Sequence, residues 1–241
     1  MIYLTPNPRV STASSYELSR SHGTALRVPV RVPTSTFLKR VDVGTMLTPA
    51  GGNRSGALQR WQCQWAADTG NYTRPVSVDT YLDWLRVLTP FAARCLFATA
   101  PDVVGNAAAT WEMSAPVLSR IRALGYPAAL VAQDGLERLS VPWSAFDVLF
   151  LGGSTAWKLG ESSYALSREA KQRGKWLHMG RVNSGRRLKI AQLYGCDSAD
   201  GTSLAFNPAL YVRDIPRWLD AVHLQPLLLP NNTETCLVAE E

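Results

Sequence analysis

No apolar run approaches the roughly 18 residues that a bilayer crossing requires, and the opening residues MIYLTPNPRV hold no apolar core of a secretory signal. The expectation is a cytoplasmic protein that does not engage a membrane. Cysteine is scarce: Cys63, Cys95, Cys196 and Cys236 lie far apart, and none forms a CxxC pair or joins a histidine at metal-ligand spacing. A reduced compartment and no structural zinc are therefore expected. The glycine-rich stretch TPAGGNRSGALQRW from Thr48 lacks the Lys-Ser/Thr ending of a phosphate-binding P-loop, so it reads as a flexible lid or connector. No internal repeat or low-complexity segment is present.

With 241 residues, 46% of them hydrophobic, the chain can bury one substantial core. It reads as a single domain over 1–241, with an irregular part at 1–60 and a frayed tail at about 230–241. A formal net charge of +6 favours a polyanionic partner such as nucleic acid. From Trp61 onward, unbroken apolar runs alternate with helical patterns, which implies a parallel sheet covered on both faces. Strand markers at Ile2, Leu26, Cys63, Cys95, Ala128, Val148, Trp176 and Cys196 make about eight, which predicts a closed α/β barrel of the (β/α)8 TIM type. The second marker comes from ALRVPVRV, Ala25 to Val32, where Pro29 limits the strand to an edge or a break. A helix through Ala108 to Leu124 should kink or break at Pro116. A closing helix from Asp214 to Val222 should take Asp214 as its cap.

The stretch KWLHMGRVNSGRRLKIAQLYGCDSADGT, from Lys175 to Thr202, reads as strand, turn, helix and strand, with Ser184 as helix cap and Gly195 as its stop. Successive strand ends then carry Asp68, Asp102, Gln133, Gly152-Gly153 and the pair Asp197/Asp200. Any one of them can be a helix cap; together they would converge on the rim where parallel α/β folds keep their chemistry. Carboxylates at different strand ends suit displacement at a sugar carbon, one as nucleophile and another moving a proton. Gln and Asp side chains suit a purine's polar edge, and adjacent glycines let a ring approach the backbone. His178, inside an apolar strand, fits a packed or substrate-orienting residue. Arg181, Arg186, Arg187 and Lys189 fit either phosphate contacts or a solvated helix face.

In this order along the chain, from Asp68 to Asn207, these residues resemble the tRNA-guanine transglycosylases and, more closely, the compact phage and bacterial enzymes that insert 7-deazaguanine bases into DNA. Asp68-Thr69-Gly70-Asn71-Tyr72 is similar to the family's base motif. Asp102 is similar to its purine-binding aspartate, with Asn106 as a competing assignment. Val131-Ala132-Gln133-Asp134-Gly135 resembles Val-Gln-Gly-Gly displaced by one residue, Gly152-Gly153 the paired glycines, and Gly195-Cys196-Asp197-Ser198-Ala199-Asp200 the nucleophile motif. The resemblance implies Asp200 as nucleophile, Asp68 as proton carrier, and Asp102, Gln133, Gly152 and Gly153 as base contacts, with Asp197 and His178 behind them. It implies double-stranded DNA and a free 7-deazaguanine base as partners, and no cofactor. Gly201-Thr202 replaces the Cys-Val of the tRNA enzymes, and their Cys-rich zinc site has no counterpart, so neither zinc nor a tRNA-binding subdomain is expected. Two other readings stay open: base exchange on RNA, and a catalytically silent nucleic-acid-binding barrel.

Overall fold

The computed structural model describes residues 1–6, 40–52, 54–71 and 74–224. It is a closed barrel of eight parallel strands in sequential order, with helices between them, the (β/α)8 architecture the apolar runs predict. Strand β1 (Ile2–Pro6) pairs with β2 (Val43–Leu47) on one side and with β8 (Ser198–Asp200) on the other, which closes the ring. Between them lie β3 (Trp65–Ala67), β4 (Cys95–Thr99), β5 (Ala128–Ala132), β6 (Val148–Leu151) and β7 (Trp176–Met179). The helices in chain order are α1 (Ser55–Trp61), α2 (Val78–Leu88), α3 (Ala107–Ala123), α4 (Thr155–Lys158), α5 (Glu161–Gln172), α6 (Gly185–Leu193), α7 (Ser203–Phe206) and α8 (Pro208–Leu224).

Four expectations are corrected. The second barrel strand is Val43–Leu47, not the ALRVPVRV stretch; residues 25–32 lie outside the described residues. The glycine-rich stretch is not a plain connector: Pro49–Gly51 forms a 3-10 turn and Ser55–Trp61 a helix, packed through buried Leu58. Of the kink or break expected at Pro116, the break does not occur: helix α3 is continuous through it and keeps Val117, Leu118 and Ile121 buried. Helix α8 begins at Pro208 rather than near Asp214, because Asn207 supplies the cap, its Oδ1 accepting from Leu210 N at 3.2 Å, and Pro208 is suited to a first turn.

Side chains alternate along each strand, so residues two apart share a face. Leu4, Ala66, Phe97, Ala129, Val131, Val148 and Phe150 form a small cluster of their own, distinct from the larger core that holds Tyr3, Ala67, Leu130, Leu149, Leu177 and Ala199 against the helices. The first set fills the barrel; the second faces outward. His178 belongs with the interior set, its ring 4.8 Å from that of Phe97 and 4.4 Å from that of Phe150, while the two phenyl rings meet edge to face at 5.9 Å. This aromatic group is the floor on which the mouth of the barrel rests.

Removing one of these rings leaves a void that a closed barrel cannot collapse around. Phe97→Ala should therefore cost about 3–5 kcal/mol, read as a lower urea midpoint at unchanged slope. A loss under about 1 kcal/mol would mean that the interior is loosely packed.

Candidate active site

Because β8 alternates, Ser198 and Asp200 point the same way, into the barrel, as do Trp176 and His178 on the neighbouring β7. Four side chains thereby join in a chain of hydrogen bonds. Trp176 Nε1 lies 2.9 Å from Ser198 Oγ, Ser198 Oγ lies 2.8 Å from His178 Nδ1, and His178 Nε2 lies 3.0 Å from Asp200 Oδ1. The indole N–H can only donate, so Ser198 Oγ accepts from Trp176, and the Asp200 carboxylate can only accept, so His178 donates to it from Nε2. His178 is fully buried and the Asp200 side chain is 16% exposed. The carboxylate thus has one oxygen fixed from below, and Oδ2 has no hydrogen-bond partner among the described residues.

Asp68 follows β3 directly. Its Oδ1 accepts from Gly70 N at 3.0 Å, and Gly70 takes the positive φ of 71° that closes this tight turn. Burial pushes the Asp68 carboxyl up, and the charge of Asp200 adds to the shift. Asp102, past the end of β4, is also raised, to about 6, first by burial and then by the charge of Asp68. Asp68 therefore feels Asp200, and Asp102 feels Asp68, across a partly dry mouth. Gln133, buried at the end of β5, donates from Nε2 to Asp102 Oδ2 at 2.7 Å and accepts at Oε1 from Gly105 N at 2.9 Å. Its amide is spent chiefly on holding Asp102. Asn106 caps α3 through its Oδ1 and Ala109 N, which leaves Asp102 as the carboxylate of this rim position.

The other expected residues divide. Asp197 does not join Asp200: it precedes β8, at the opposite end of the strand, where its carboxylate takes Lys171 Nζ at 2.7 and 2.8 Å and Leu177 N at 2.8 Å. A strand of three residues separates the two carboxyl groups by its length, so the pair predicted for one rim is split between top and bottom. Gly152 and Gly153 are on the rim, but their surroundings are protein. A Cβ at Gly152 would strike Val131 and approach Gln133, and one at Gly153 would strike Trp157 and Asp134. Their carbonyls accept from Arg181, whose backbone has the unusual φ of 59°. The glycines thus serve close packing, and Arg181 folds back across the end of β6. Arg187 also faces the mouth, its Nη1 donating to Arg181 O at 3.2 Å. Arg186 and Lys189 instead line a groove of about 700 Å³ between α6 and α8, with Ile190, Leu193 and Trp218.

Sequence reasoning missed Ser198 and Trp176, although the two-residue spacing of Trp176/His178 and Ser198/Asp200 carries the signal. It also missed Tyr3, whose hydroxyl donates to Val182 O at 2.6 Å, and the buried Lys158, whose Nζ donates to Gly180 O at 2.5 Å. Nothing in TAWKLG marks that lysine as internal. Among the described residues, no group of three or more His, Cys, Asp or Glu is placed to hold a metal ion, and no helix is long and apolar enough to cross a membrane.

No family model matches this sequence, and no curated protein matches it. Among solved structures, the chain is similar to a native KDPGal structure, with 10% identity over 80% of this chain and 88% of that one and a TM-score of 0.50. It also aligns with a tetrameric deoxyribose phosphate aldolase from Aeropyrum pernix, with 14% identity over 71% of this chain and 77% of that one and a TM-score of 0.45. At such identities the likeness concerns the barrel alone.

A carboxyl whose folded value is raised gives stability that is present below its unfolded value and lost as pH rises through the folded one. Asp102→Asn removes that loss. The variant's stability relative to the parent protein should increase from about pH 4 to about pH 7 and level off beyond it, as measured by denaturation at each pH. A difference that is flat across this window would show that Asp102 is not held in a drying environment.

Proposed function

We propose that this protein exchanges guanine in DNA for a 7-deazaguanine base through a covalent ester between Asp200 and the sugar. The observation that carries the reading is the Trp176–Ser198–His178 chain, which aims one carboxylate into the barrel mouth, where a second, Asp68, has its proton affinity raised by burial. A carboxylate with one oxygen pinned and the other open is suited to attack a carbon rather than to shuttle protons. In the first displacement Asp200 Oδ2 bonds to C1′ while the bond from C1′ to N9 breaks, and Asp68 gives its proton to the departing guanine. In the second, N9 of the incoming base bonds to C1′, the ester bond breaks, Asp200 regains its charge and Asp68 takes back the proton. Two inversions give net retention.

Asp102 supports the choice of base. Gln133 occupies its Oδ2, so Oδ1 remains for the N–H groups on the polar edge of a guanine-type ring, and no additional partner is needed to hold it in place. A guanine within a duplex cannot reach this mouth, so the base must leave the stack, at a cost of a few kcal/mol that pocket contacts offset. Arg187 and the outer face of Arg181 would meet phosphates beside the mouth, and Arg186 and Lys189 would meet them along the flank.

The direct test incubates the protein with duplex DNA, or with tRNA, together with labelled guanine or 7-deazaguanine, and follows incorporation by nucleoside mass spectrometry. Incorporation into DNA should be abolished by Asp200→Asn, with DNA binding nearly intact. Preferential labelling of tRNA would shift the reading to RNA, and equal rates for the Asn variant would remove Asp200 from the chemistry. For the flank, replacing Arg186 and Lys189 together with Ala should weaken DNA binding without regard to sequence and reduce the salt slope by up to about 2. An unchanged slope would place them on a solvated face.

A further inference from the structure

The sequence contains five lysines, Lys39, Lys158, Lys171, Lys175 and Lys189, and Lys158 is sealed inside the protein at 3% exposure. It ends the short helix α4, which Ser154 caps by accepting from Trp157 N. The Lys158 ammonium forms no carboxylate ion pair within 4 Å among the described residues; its one hydrogen bond goes to Gly180 O, at 2.5 Å. An amine at this depth with a single carbonyl partner is costly for the fold, and an apolar side chain of equal length would fill the space at less cost. The position therefore calls for a role in the site.

Gly180 is where that role begins. It is the first residue of the turn after β7, it lies two residues beyond His178, and a Cβ placed on it would come within 3.3 Å of Asp200 Oδ1. The charged groups that face Lys158 are Arg181 and Arg187, which oppose its charge, and Asp200, which favours it; burial, the largest influence, brings the amine down to about 7. Arg181 is turned away onto the carbonyls of Gly152 and Gly153, and Arg187 onto that of Arg181. Asp200 is the one negative charge in this set.

We propose that Lys158 is a positioning residue whose buried ammonium is the counter-charge of Asp200, fixing the Gly180 turn beside the carboxylate. The inference rests on the reading of Asp200 as nucleophile and adds a regulatory consequence. When Asp200 becomes a neutral ester, the ammonium loses the favourable charge of that carboxylate, so return of the carboxylate in the second displacement is promoted. When the amine is neutral, that assistance is gone. Discharge of the ester should therefore slow as pH rises through neutrality.

Lysine labelled with carbon-13 at Cε reports the coupling without any turnover. The Lys158 resonance is assigned by its absence in Lys158→Met, or in Lys158→Gln should the Met variant fail to fold. In the parent protein it should titrate near neutral pH, and Asp200→Asn should lower the midpoint by about half a unit or more, because a favourable negative charge has gone. A midpoint above about 9, or one that Asp200→Asn leaves in place, would overturn the proposal whether or not the protein exchanges bases. In a single-turnover assay, discharge of the ester by 7-deazaguanine should be at least about tenfold slower in Lys158→Met than in the parent at neutral pH, with the gap narrowing as pH rises and the parent's amine loses its proton; equal discharge rates at neutral pH also overturn the proposal. A coupled titration in a protein that performs no exchange would support the pairing of Lys158 with Asp200 and contradict the base-exchange reading.

Discussion

The turn from Gly180 to Asn183 is the constraint on which the mouth of this barrel depends, because nearly every polar group in it is bonded to a different element. Gly180 receives Lys158 and donates to Leu151 O; the Arg181 guanidinium closes the end of β6; Val182 N donates to Asp200 O and Val182 O accepts from Tyr3. Asn183 Oδ1 then accepts from Thr202 N and Ser203 Oγ at the start of α7. β1, β6 and β8 are thus tied through one segment, and Asp200 is gripped by its backbone as well as by His178. Gly201 completes the arrangement, since a Cβ there would run into Tyr3, Asn183 and Val182. A carboxylate held in this way loses little freedom when it reacts.

Placement alone does not distinguish a nucleophile from a proton carrier; environment does. Asp200 is supplied with a donor by a directional chain that starts at an indole, whereas Asp68 and Asp102 sit where burial and neighbouring negative charge favour the protonated form. A carboxylate with a fixed donor beside carboxyl groups raised by burial offers separate candidates for nucleophile and acid. The inner aromatic floor of Phe97, Phe150 and His178 contributes by excluding water from below, which strengthens every charge interaction above it.

Much of this was legible in the residues. The strands Ala128–Ala132, Val148–Leu151 and Trp176–Met179 are continuous apolar runs, which sequence reads well, and Ser184 is recognisable as a cap before its helix. The strand β2 was not, since Val43–Leu47 is short and contains Gly44, which the packing demands because a Cβ would strike Gln64 O and Leu4. Asp197 misled because three residues of sequence separation say nothing about which end of a strand a side chain occupies. At Gly152 and Gly153, the missing side chains suggested room for a ligand's ring where the structure needs room for Val131 and Trp157. Lys158 was invisible because burial of a charge is a tertiary property with no local pattern.

The central claim is that Asp200 becomes covalently attached to a sugar. Incubating the protein with guanine-containing DNA in the absence of an incoming base, quenching in acid and mapping the adduct by peptide mass spectrometry tests it most directly. The account predicts a nucleotide ester on the peptide containing Asp200, discharged by added 7-deazaguanine and absent from Asp200→Asn. An adduct stabilised by borohydride and mapped to Lys158 would contradict it, as would base exchange proceeding with no attachment at Asp200.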